Sequence, residues 1–397
     1  MKIALLCSGL GNVNRGHEVF ARELFTLLGD AIDITLFKGG GESAHKEQVI
    51  DNISRNATCL DHVHVAASPK WAAAVKEGER VRIEGETFAY AALKPLLEGE
   101  FDVIHCLERE VCDVIYAQRH LFRHTPKILF SNGGAIPARD LPRCDFVQEH
   151  SERNLMYGAK GKSFMIPHGV DLSQFHPEVV SDFRAQHGIP DSAFVVISVG
   201  TISYAHKRMD HVIREVAAVK DAYLLVVGQE NQDTPEIKAL GKRLMGERII
   251  FTKLPHSDLP KAYAAANVFA LGSVFETFGI VYIEAMAMGL PVICTNHLNQ
   301  RAIVKKGIFI DMTEHGALTN ALRDTERGEL VALGKRGREI VQEHYDLAVL
   351  KRKYLEQYQT IALTTASLPT YSLKSKVASN SINAIRRAAQ LVFGRAE

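Results

Sequence analysis

Short apolar segments alternate with amphipathic helical patterns along the chain, and the whole series occurs twice. In the first half the predicted strands are "KIALLCS", "DITLF", "HVHVA", "DVIHCL", "KILFSN" and "DFVQEH". In the second half they are "FVVISVG", "YLLVVG", "RIIFTKL", "VFALGS", "PVICT" and "GIFID". Continuous apolar strands separated by helices indicate a parallel sheet that is covered on both faces. We therefore predict an α/β protein with two tandem Rossmann-like, doubly wound domains that face each other across a cleft.

A segment rich in turn-forming residues, "IPHGVDLSQFHP" at 166–177, separates the two series and is interpreted as the interdomain linker. The first domain is expected at 1–170 and the second at 171–345. Residues 346–365 are expected to form a helix that returns towards the first domain. Residues 366–397 form a polar tail for which we expect poor order, with weak peripheral membrane contact as the alternative.

Charge and cysteine content exclude several classes of protein. The 47 basic and 46 acidic side chains nearly cancel, so no broad basic field indicates binding of nucleic acid. The N-terminal apolar run is too short for a signal peptide, and no apolar run is long enough to span a bilayer. The six scattered cysteines favour neither a metal cluster nor a disulfide framework, so we expect a cytoplasmic protein.

The segment "VFETFGIVYIEAMAMGLPVI" at 274–293 places two carboxylates, Glu276 and Glu284, in apolar surroundings. Thr277 is a suitable N-cap for a helix, and the backbone N–H groups of Gly279 and Ile280 would then be free in its first turn. Such a helix start attracts phosphate. Glu284 lies four residues after Ile280 on the same face, where a ribose diol attached to the phosphate could meet it.

Glu276 precedes this helix, on the other side of the same phosphate site, where it could accept hydrogen bonds from sugar hydroxyls. The spacing of the two carboxylates suits a nucleotide sugar. The residues alone leave simpler interpretations open, since Glu276 could complement the helix dipole and Glu284 could be a solvated surface residue.

The chain resembles the retaining glycosyltransferases of family 4, which have the GT-B fold, over about residues 1–345. "FETFGIVYIEAMAMGLPVI" resembles that family's E-x7-E signature, and "IPHGVD" resembles its interdomain "IPNGVD". The resemblance implies that Glu284 binds the donor ribose and that Glu276 binds the donor sugar hydroxyls. It also implies that Gly279 and Ile280, with Thr277 before them, present the backbone to the diphosphate.

The family's "GR…K" loop, whose arginine and lysine bind the diphosphate, corresponds here to "VGTISYAHKRMD". Lys207 matches the lysine, Thr201 stands in the place of the arginine, and Arg208 follows the lysine. The resemblance implies that Lys207 is the main diphosphate cation, and we expect Arg208 to cover partly for the missing arginine. The interpretation as solvated residues at a helix start stays open for Lys207 and Arg208.

In the first domain, "GLGNVNRGHE" resembles the family's glycine loop through Gly11 and Gly16, which would face the donor across the cleft. A glycine loop of this kind is also compatible with a dinucleotide-binding fold. Many family members place a histidine after the strand that here reads "KILFSNGG", and Asn132 occupies its position. By this resemblance the predicted catalytic residues are Glu276, Lys207 and Asn132. His105 is the nearest other histidine, and a single histidine at the end of a strand is more often structural.

No Asp-x-Asp pair occurs in the sequence, so neither a metal ion nor another cofactor is expected. The resemblance implies a retaining transfer from a UDP-, GDP- or ADP-sugar bound by the second domain to an unidentified acceptor bound by the first. Three alternatives stay open: a nucleotide-sugar epimerase or hydrolase, a catalytically weak nucleotide-sugar-binding protein, and a dinucleotide-dependent oxidoreductase.

Overall fold

The structure is a computed structural model that describes residues 1–13, 15–366 and 368. Apart from residues 366 and 368, the tail predicted at 366–397 lies outside the described residues. The described chain forms two parallel β-sheets, each covered by helices. The prediction of two tandem Rossmann-like domains is confirmed by this architecture.

The first sheet has seven parallel strands in the order β3-β2-β1-β4-β5-β6-β7. Its strands are β1 (Lys2–Cys7), β2 (Asp33–Lys38), β3 (Glu47–Val49), β4 (Val103–Cys106), β5 (Lys127–Ser131), β6 (Phe146–Glu149) and β7 (Ser163–Met165). The helices of this part are α1 (Gly16–Leu28), α2 (Pro69–Gly99), α3 (Arg109–Gln118) and α4 (Glu152–Met156). The central strands are buried almost along their whole length, because helices cover both of their faces.

The second sheet has six parallel strands in the order β10-β9-β8-β11-β12-β13. Its strands are β8 (Val195–Val199), β9 (Tyr223–Val227), β10 (Ile249–Thr252), β11 (Val268–Ala270), β12 (Val292–Thr295) and β13 (Ile308–Ile310). Its helices are α5 (Phe183–Gln186), α6 (Met209–Ala217), α7 (Thr234–Met245), α8 (Leu259–Ala264), α9 (Ile280–Ala287), α10 (Leu298–Val304), α11 (Ala317–Asp324) and α12 (Arg327–His344). The strand order reverses direction beside β8, as in doubly wound folds.

One predicted strand is wrong, and two short strands were missed. The segment "HVHVA" at 62–66 is a loop whose valines are only half-buried. The edge of the sheet beside β2 is occupied instead by β3, in which Glu47 lies opposite Leu36. At the other edge β7 pairs with β6 just before the linker. Edge strands of three residues lack the long apolar pattern by which the central strands are recognised.

The last described helix, α13 (Leu347–Ala362), packs against the first domain. Its buried residues Leu350, Tyr354, Tyr358 and Ile361 belong to the same hydrophobic core as Ile3 and other residues of the first sheet. Full burial of side chains of this size stabilises a fold by roughly 1.5–3 kcal/mol each. Helix α13 therefore binds the end of the second domain to the first.

The chain crosses between the domains twice, and the two crossings are hydrogen-bonded to each other. The N–H of Val170 donates to the carbonyl of Tyr345 at 2.8 Å, and the N–H of Leu347 donates to the carbonyl of Val170 at 3.2 Å. Among the helices of the described residues, none combines the length and the apolar character that crossing a membrane requires.

Candidate functional site

The predicted site residues lie in loops that follow the carboxyl ends of parallel strands. The loop after β8 carries Thr201 and Lys207, and the loop after β11 carries Glu276. In the first domain, Gly11 follows β1 and Asn132 follows β5. Carboxyl ends of parallel strands are where ligands bind in open α/β sheets.

Glu276 and Lys207 form an ion pair between these two loops of the second domain. Lys207 Nζ donates to Glu276 Oε1 at 2.5 Å, and Ser273 Oγ donates to the same oxygen at 2.7 Å. The second oxygen, Oε2, lies 3.1 Å from His206 Nε2. The Glu276 side chain is 7% exposed and that of Lys207 is 17% exposed, so the ion pair is largely shielded from solvent.

The charge of Glu276 is stabilised by these neighbours. Burial alone would raise the pKa of the Glu276 carboxyl, but the hydrogen bond from His206 and the charge of Lys207 outweigh it and lower the pKa to about 2. Glu276 is therefore ionised at any physiological pH. A carboxylate of this kind accepts hydrogen bonds from hydroxyl groups.

Helix α9 begins two residues later than predicted from the sequence. Its N-cap is Gly279 in the left-handed conformation (φ 80°), so the prediction that Thr277 caps this helix is wrong. Asn299 Nδ2 donates to the carbonyls of both Glu276 and Thr277 at 2.6 Å, and Gln300 Nε2 donates to the carbonyl of Glu276 at 2.9 Å. These side chains from α10 hold the loop before α9 by its carbonyls and oppose a helix start at Thr277.

The true start of α9 still offers free backbone donors. The first N–H groups of a helix, here from Ile280 onward, have no acceptor within the helix. Gly279 adopts a backbone conformation that residues with a side chain rarely adopt, and an added Cβ there would lie 2.6 Å from the ring of Tyr282. The backbone at 279–280 is thus arranged in a way that suits close approach of an anion.

Glu284 lies one turn into α9, and it is buried rather than solvated. Its Oε1 accepts from His256 Nε2 at 2.8 Å, and its Oε2 accepts from Tyr263 Oη at 2.8 Å. Burial would lower the pKa of His256, but the hydrogen bond to Glu284 outweighs it and raises that pKa. Each carboxylate oxygen has a second lone pair, so Glu284 is able to accept further hydrogen bonds.

Arg208 is hydrogen-bonded to backbone carbonyls of two other loops of the second domain. Its backbone is left-handed (φ 47°) at the N-cap of α6, and its guanidinium donates to the carbonyl of Met312 at 2.5 Å. A second, longer contact of 3.5 Å reaches the carbonyl of Gly272. Its guanidinium joins two loops of the second domain, and its expected role towards the diphosphate stays a prediction. Thr201 is exposed in the loop after β8.

The two glycines of the first domain have different surroundings. Gly11 (φ 93°) packs against the backbone of Gly40, where an added Cβ would lie only 2.2 Å from the carbonyl carbon. Gly11 therefore shapes a turn inside the first domain. Gly16, at the start of α1, faces the other domain, since its Cβ would lie 3.6 Å from Ile280 Cδ1. Gly16 brings the first domain next to the start of α9.

Asn132 is buried, and both polar atoms of its side chain form hydrogen bonds within the first domain. Its Nδ2 donates to the carbonyl of Ile136 at 2.9 Å and to Glu149 Oε2 at 3.0 Å, and its Oδ1 accepts from the N–H of Ile136 at 2.7 Å. Burial raises the pKa of Glu149 to about 7, although the hydrogen bonds from Asn132 and Ser163 lower it. These contacts give Asn132 a role in shaping the loop, in place of the predicted contact with the donor sugar.

His105 is also part of the internal structure. Its ring nitrogens lie 2.7 Å from Tyr358 Oη and 2.9 Å from Ser131 Oγ. Burial lowers the pKa of His105 to about 3, so the ring is neutral. It links α13 to the first sheet.

Sequence reasoning missed several residues that hold the site together: His206, Ser273, His256, Tyr263, Asn299 and Gln300. His206 and Ser273 lie beside recognised motifs and could have been considered. The others lie between 21 and 28 residues from the glutamates that they contact, and no spacing rule connects them.

Comparison with known proteins agrees with this geometry. Residues 179–340, within the second domain, match the family model described as glycosyl transferases group 1. The D-inositol 3-phosphate glycosyltransferase 1 of Catenulispora acidiphila is 30% identical over 198 residues, which are 46% of this chain and 47% of that protein. The alpha-monoglucosyldiacylglycerol synthase of Streptococcus pneumoniae is 28% identical over 204 residues, covering 48% and 46% of the two chains. The chain thus spans about half the length of these curated relatives.

Solved structures match over nearly the whole chain. Sucrose-phosphate synthase from Thermosynechococcus elongatus superimposes with a TM-score of 0.74 at 21% identity, covering 91% of this chain and 98% of that one. Anabaena HepE in complex with UDP and glucose gives a TM-score of 0.70 at 17% identity, with coverage of 91% and 100%. At such identities the likeness concerns the fold. Residues 179–340 thus resemble the glycosyl transferases group 1, and the fold resembles that of these solved structures.

Proposed function

We propose that this protein is a retaining glycosyltransferase that transfers a sugar from a nucleoside diphosphate sugar to an acceptor bound by the first domain. The observation that carries the proposal is the convergence of Lys207, Glu276 and the start of α9 at the carboxyl ends of two strands, with Glu284 one turn further along α9. A lysine and a helix start suit a diphosphate, and the two carboxylates suit the sugars on either side of it.

In the proposed reaction, the bond between the anomeric carbon and the diphosphate oxygen breaks, and the acceptor oxygen bonds to the same face of the sugar. The acceptor proton passes to the departing diphosphate, so charge and atoms balance. Negative charge grows on the diphosphate as it leaves, and Lys207 with the first N–H groups of α9 would stabilise it there. Glu276 would orient the sugar hydroxyls. We propose that no divalent metal takes part in this step.

The nucleoside part of the donor would bind further along α9. Glu284 would accept hydrogen bonds from the ribose hydroxyls through its remaining lone pairs, while His256 and Tyr263 fix its orientation. HepE has been solved in complex with UDP-glucose, and it shares this fold, which supports a nucleotide sugar as the donor.

A thermal-shift screen tests the proposal. UDP, GDP, ADP and their glucose and mannose derivatives would be added to the purified protein, because a ligand that binds the folded state raises its melting temperature. The donor identified would be incubated with candidate polyol and lipid acceptors, and the anomeric configuration of the product would be determined by proton NMR. We expect a product with the configuration of the donor, whereas an inverted product would contradict the retaining mechanism.

The structure also favours a second candidate, a nucleotide-sugar-binding protein with weak turnover. Asn132 occupies the position of a histidine but has its amide engaged, and the guanidinium of Arg208 is hydrogen-bonded to the Met312 carbonyl. The same screen separates the two candidates, because this second function predicts donor binding without release of nucleoside diphosphate in the presence of any acceptor.

A further inference from the structure

A buried imidazole in the second domain has a nitrogen without a protein partner. His211, in the first turn of α6, is 3% exposed, and its Nε2 makes no hydrogen bond within the described residues. An unpaired buried polar atom costs about 1–3 kcal/mol, which makes it a marker of a site that takes a ligand.

A carboxylate stands one helical turn away. Glu215 lies four residues after His211 and therefore on the same face of α6. Its Oε1 accepts from the N–H of Gly316 at 2.7 Å, and its Oε2 accepts from the N–H and the hydroxyl of Thr319, each at 3.0 Å. Burial would raise the pKa of Glu215, but these hydrogen bonds outweigh it and lower that pKa, so the group is ionised.

The bonds of Glu215 to the start of α11 bring a second histidine to the same place. His315 immediately precedes Gly316, and the ring centroids of His211 and His315 are 6.2 Å apart. One ligand atom from each of His211, Glu215 and His315 lies within 4.8 Å of the others. In a tetrahedral zinc site with metal–ligand distances of about 2.0–2.1 Å, ligand atoms are roughly 3.3 Å apart, so these atoms would have to approach one another by up to about 1.5 Å to bind one ion.

We propose that His211, Glu215 and His315 bind a zinc ion, with water or an external ligand in the fourth position. Two imidazoles and one carboxylate are a donor set that zinc prefers. The positive charge of Arg208 opposes a cation at this place, and the carboxylate of Asp210 favours one. The guanidinium of Arg208 is hydrogen-bonded to the carbonyl of Met312. The ion would fix α6, which follows Lys207, to the start of α11. It shares no ligand with the proposed diphosphate site.

Cobalt binding tests this proposal without any assay of activity. Protein treated with EDTA and desalted would be titrated with Co²⁺, which substitutes for zinc and has a visible ligand-field spectrum when four-coordinate. We expect one equivalent to bind and to be displaced by Zn²⁺. His315→Ala should weaken Zn²⁺ binding about tenfold or more, since loss of a direct ligand should cost no less than loss of a supporting residue. His315 is exposed, so this variant should fold, and His45→Ala, which changes another exposed histidine, should bind as wild type does.

A second cluster in the first domain provides the competing explanation. Atoms of Cys7, His17 and Glu108 also lie within 4.8 Å of one another. Cobalt bound there would show an intense thiolate-to-metal charge-transfer band, and His17→Ala would abolish binding. The proposal is overturned by that result, by full binding in His315→Ala, or by the absence of Co²⁺ and Zn²⁺ binding to the wild-type protein. Zn²⁺ should also raise the melting temperature of the wild type more than that of His315→Ala.

Discussion

Replacement of Lys207 by alanine is expected to lower turnover on the order of a hundredfold. The ammonium group is already fixed 2.5 Å from Glu276 Oε1, with its side chain largely buried, so it needs little reorganisation to meet a departing diphosphate. Removal of one such preorganised donor typically costs about 2.7–4 kcal/mol in the transition state. Because the charge on the diphosphate grows as the sugar leaves, kcat should fall as well as the affinity for the nucleotide.

The same substitution has a structural cost that can be separated from the catalytic one. The neighbours of Glu276 lower its pKa from 4.5 to about 2, a shift that corresponds to about 3 kcal/mol in total. Lys207 shares this effect with His206, so its loss should destabilise the fold by about 1–2 kcal/mol. The domain should remain folded at 25 °C.

The assay is steady-state release of nucleoside diphosphate from the cognate donor, with kcat and KM determined for each variant. Lys207→Arg retains the charge and should recover part of the lost turnover. Lys238→Ala removes a lysine that pairs with Glu230 on the surface of the same domain and should behave as wild type. Unchanged kcat and unchanged nucleotide affinity in Lys207→Ala would refute the placement of the diphosphate at this lysine.

Three further results follow from the structure. Arg208→Ala should lower the melting temperature, because it removes a charged hydrogen bond to the Met312 carbonyl that is worth about 1.5–3 kcal/mol. It should leave kcat within about twofold of wild type. A loss of turnover comparable to that of Lys207→Ala would show that Arg208 acts on the diphosphate. Turnover measured well below the melting temperature should persist in EDTA, and loss of nearly all activity that magnesium or manganese restores would contradict a metal-free diphosphate site. The buried Glu149 carboxyl has a pKa raised from 4.5 to about 7, so the folded state keeps this proton to higher pH than the unfolded state does, and stability should decline as pH rises between these values. Urea unfolding at pH 5 and pH 8 should show this decline in the wild type, and the decline should be smaller in Glu149→Gln by up to about 3 kcal/mol. Identical pH dependence in the two proteins would refute the prediction.

The fold could be predicted because the central strands carry their own signal. Strands such as Lys2–Cys7 and Val195–Val199 are buried almost throughout, and their composition reflects burial on both faces. The edge strand Glu47–Val49 has two polar residues among its three and depends on pairing with β2. Its position is therefore set by the tertiary structure, and the more apolar segment at 62–66 was mistaken for a strand.

The site was predictable only where its residues share one short segment. Glu276, Gly279 and Glu284 could be related through helical spacing, whereas Tyr263 and His256 reach Glu284 from other elements. The start of α9 was misplaced because Asn299, from α10, binds the carbonyl of Thr277 and outweighs the local preference of threonine for an N-cap. Local propensity fails at such places because contacts from distant parts of the chain determine the backbone conformation.

The central claim is that the nucleotide lies along α9, with its ribose at Glu284 and the transferred sugar at Glu276. Calorimetric titration of the preferred nucleoside diphosphate into the wild type, Glu284→Ala and Glu276→Ala tests it most directly, with the folded state of each variant verified by its melting temperature. Loss of Glu284 should weaken binding by about tenfold or more, equivalent to about 1.4 kcal/mol. Loss of Glu276 should leave the affinity nearly unchanged, because Glu276 is assigned to the transferred sugar, which a nucleoside diphosphate lacks. Equal weakening in both variants, or unchanged affinity in Glu284→Ala, would contradict the claim.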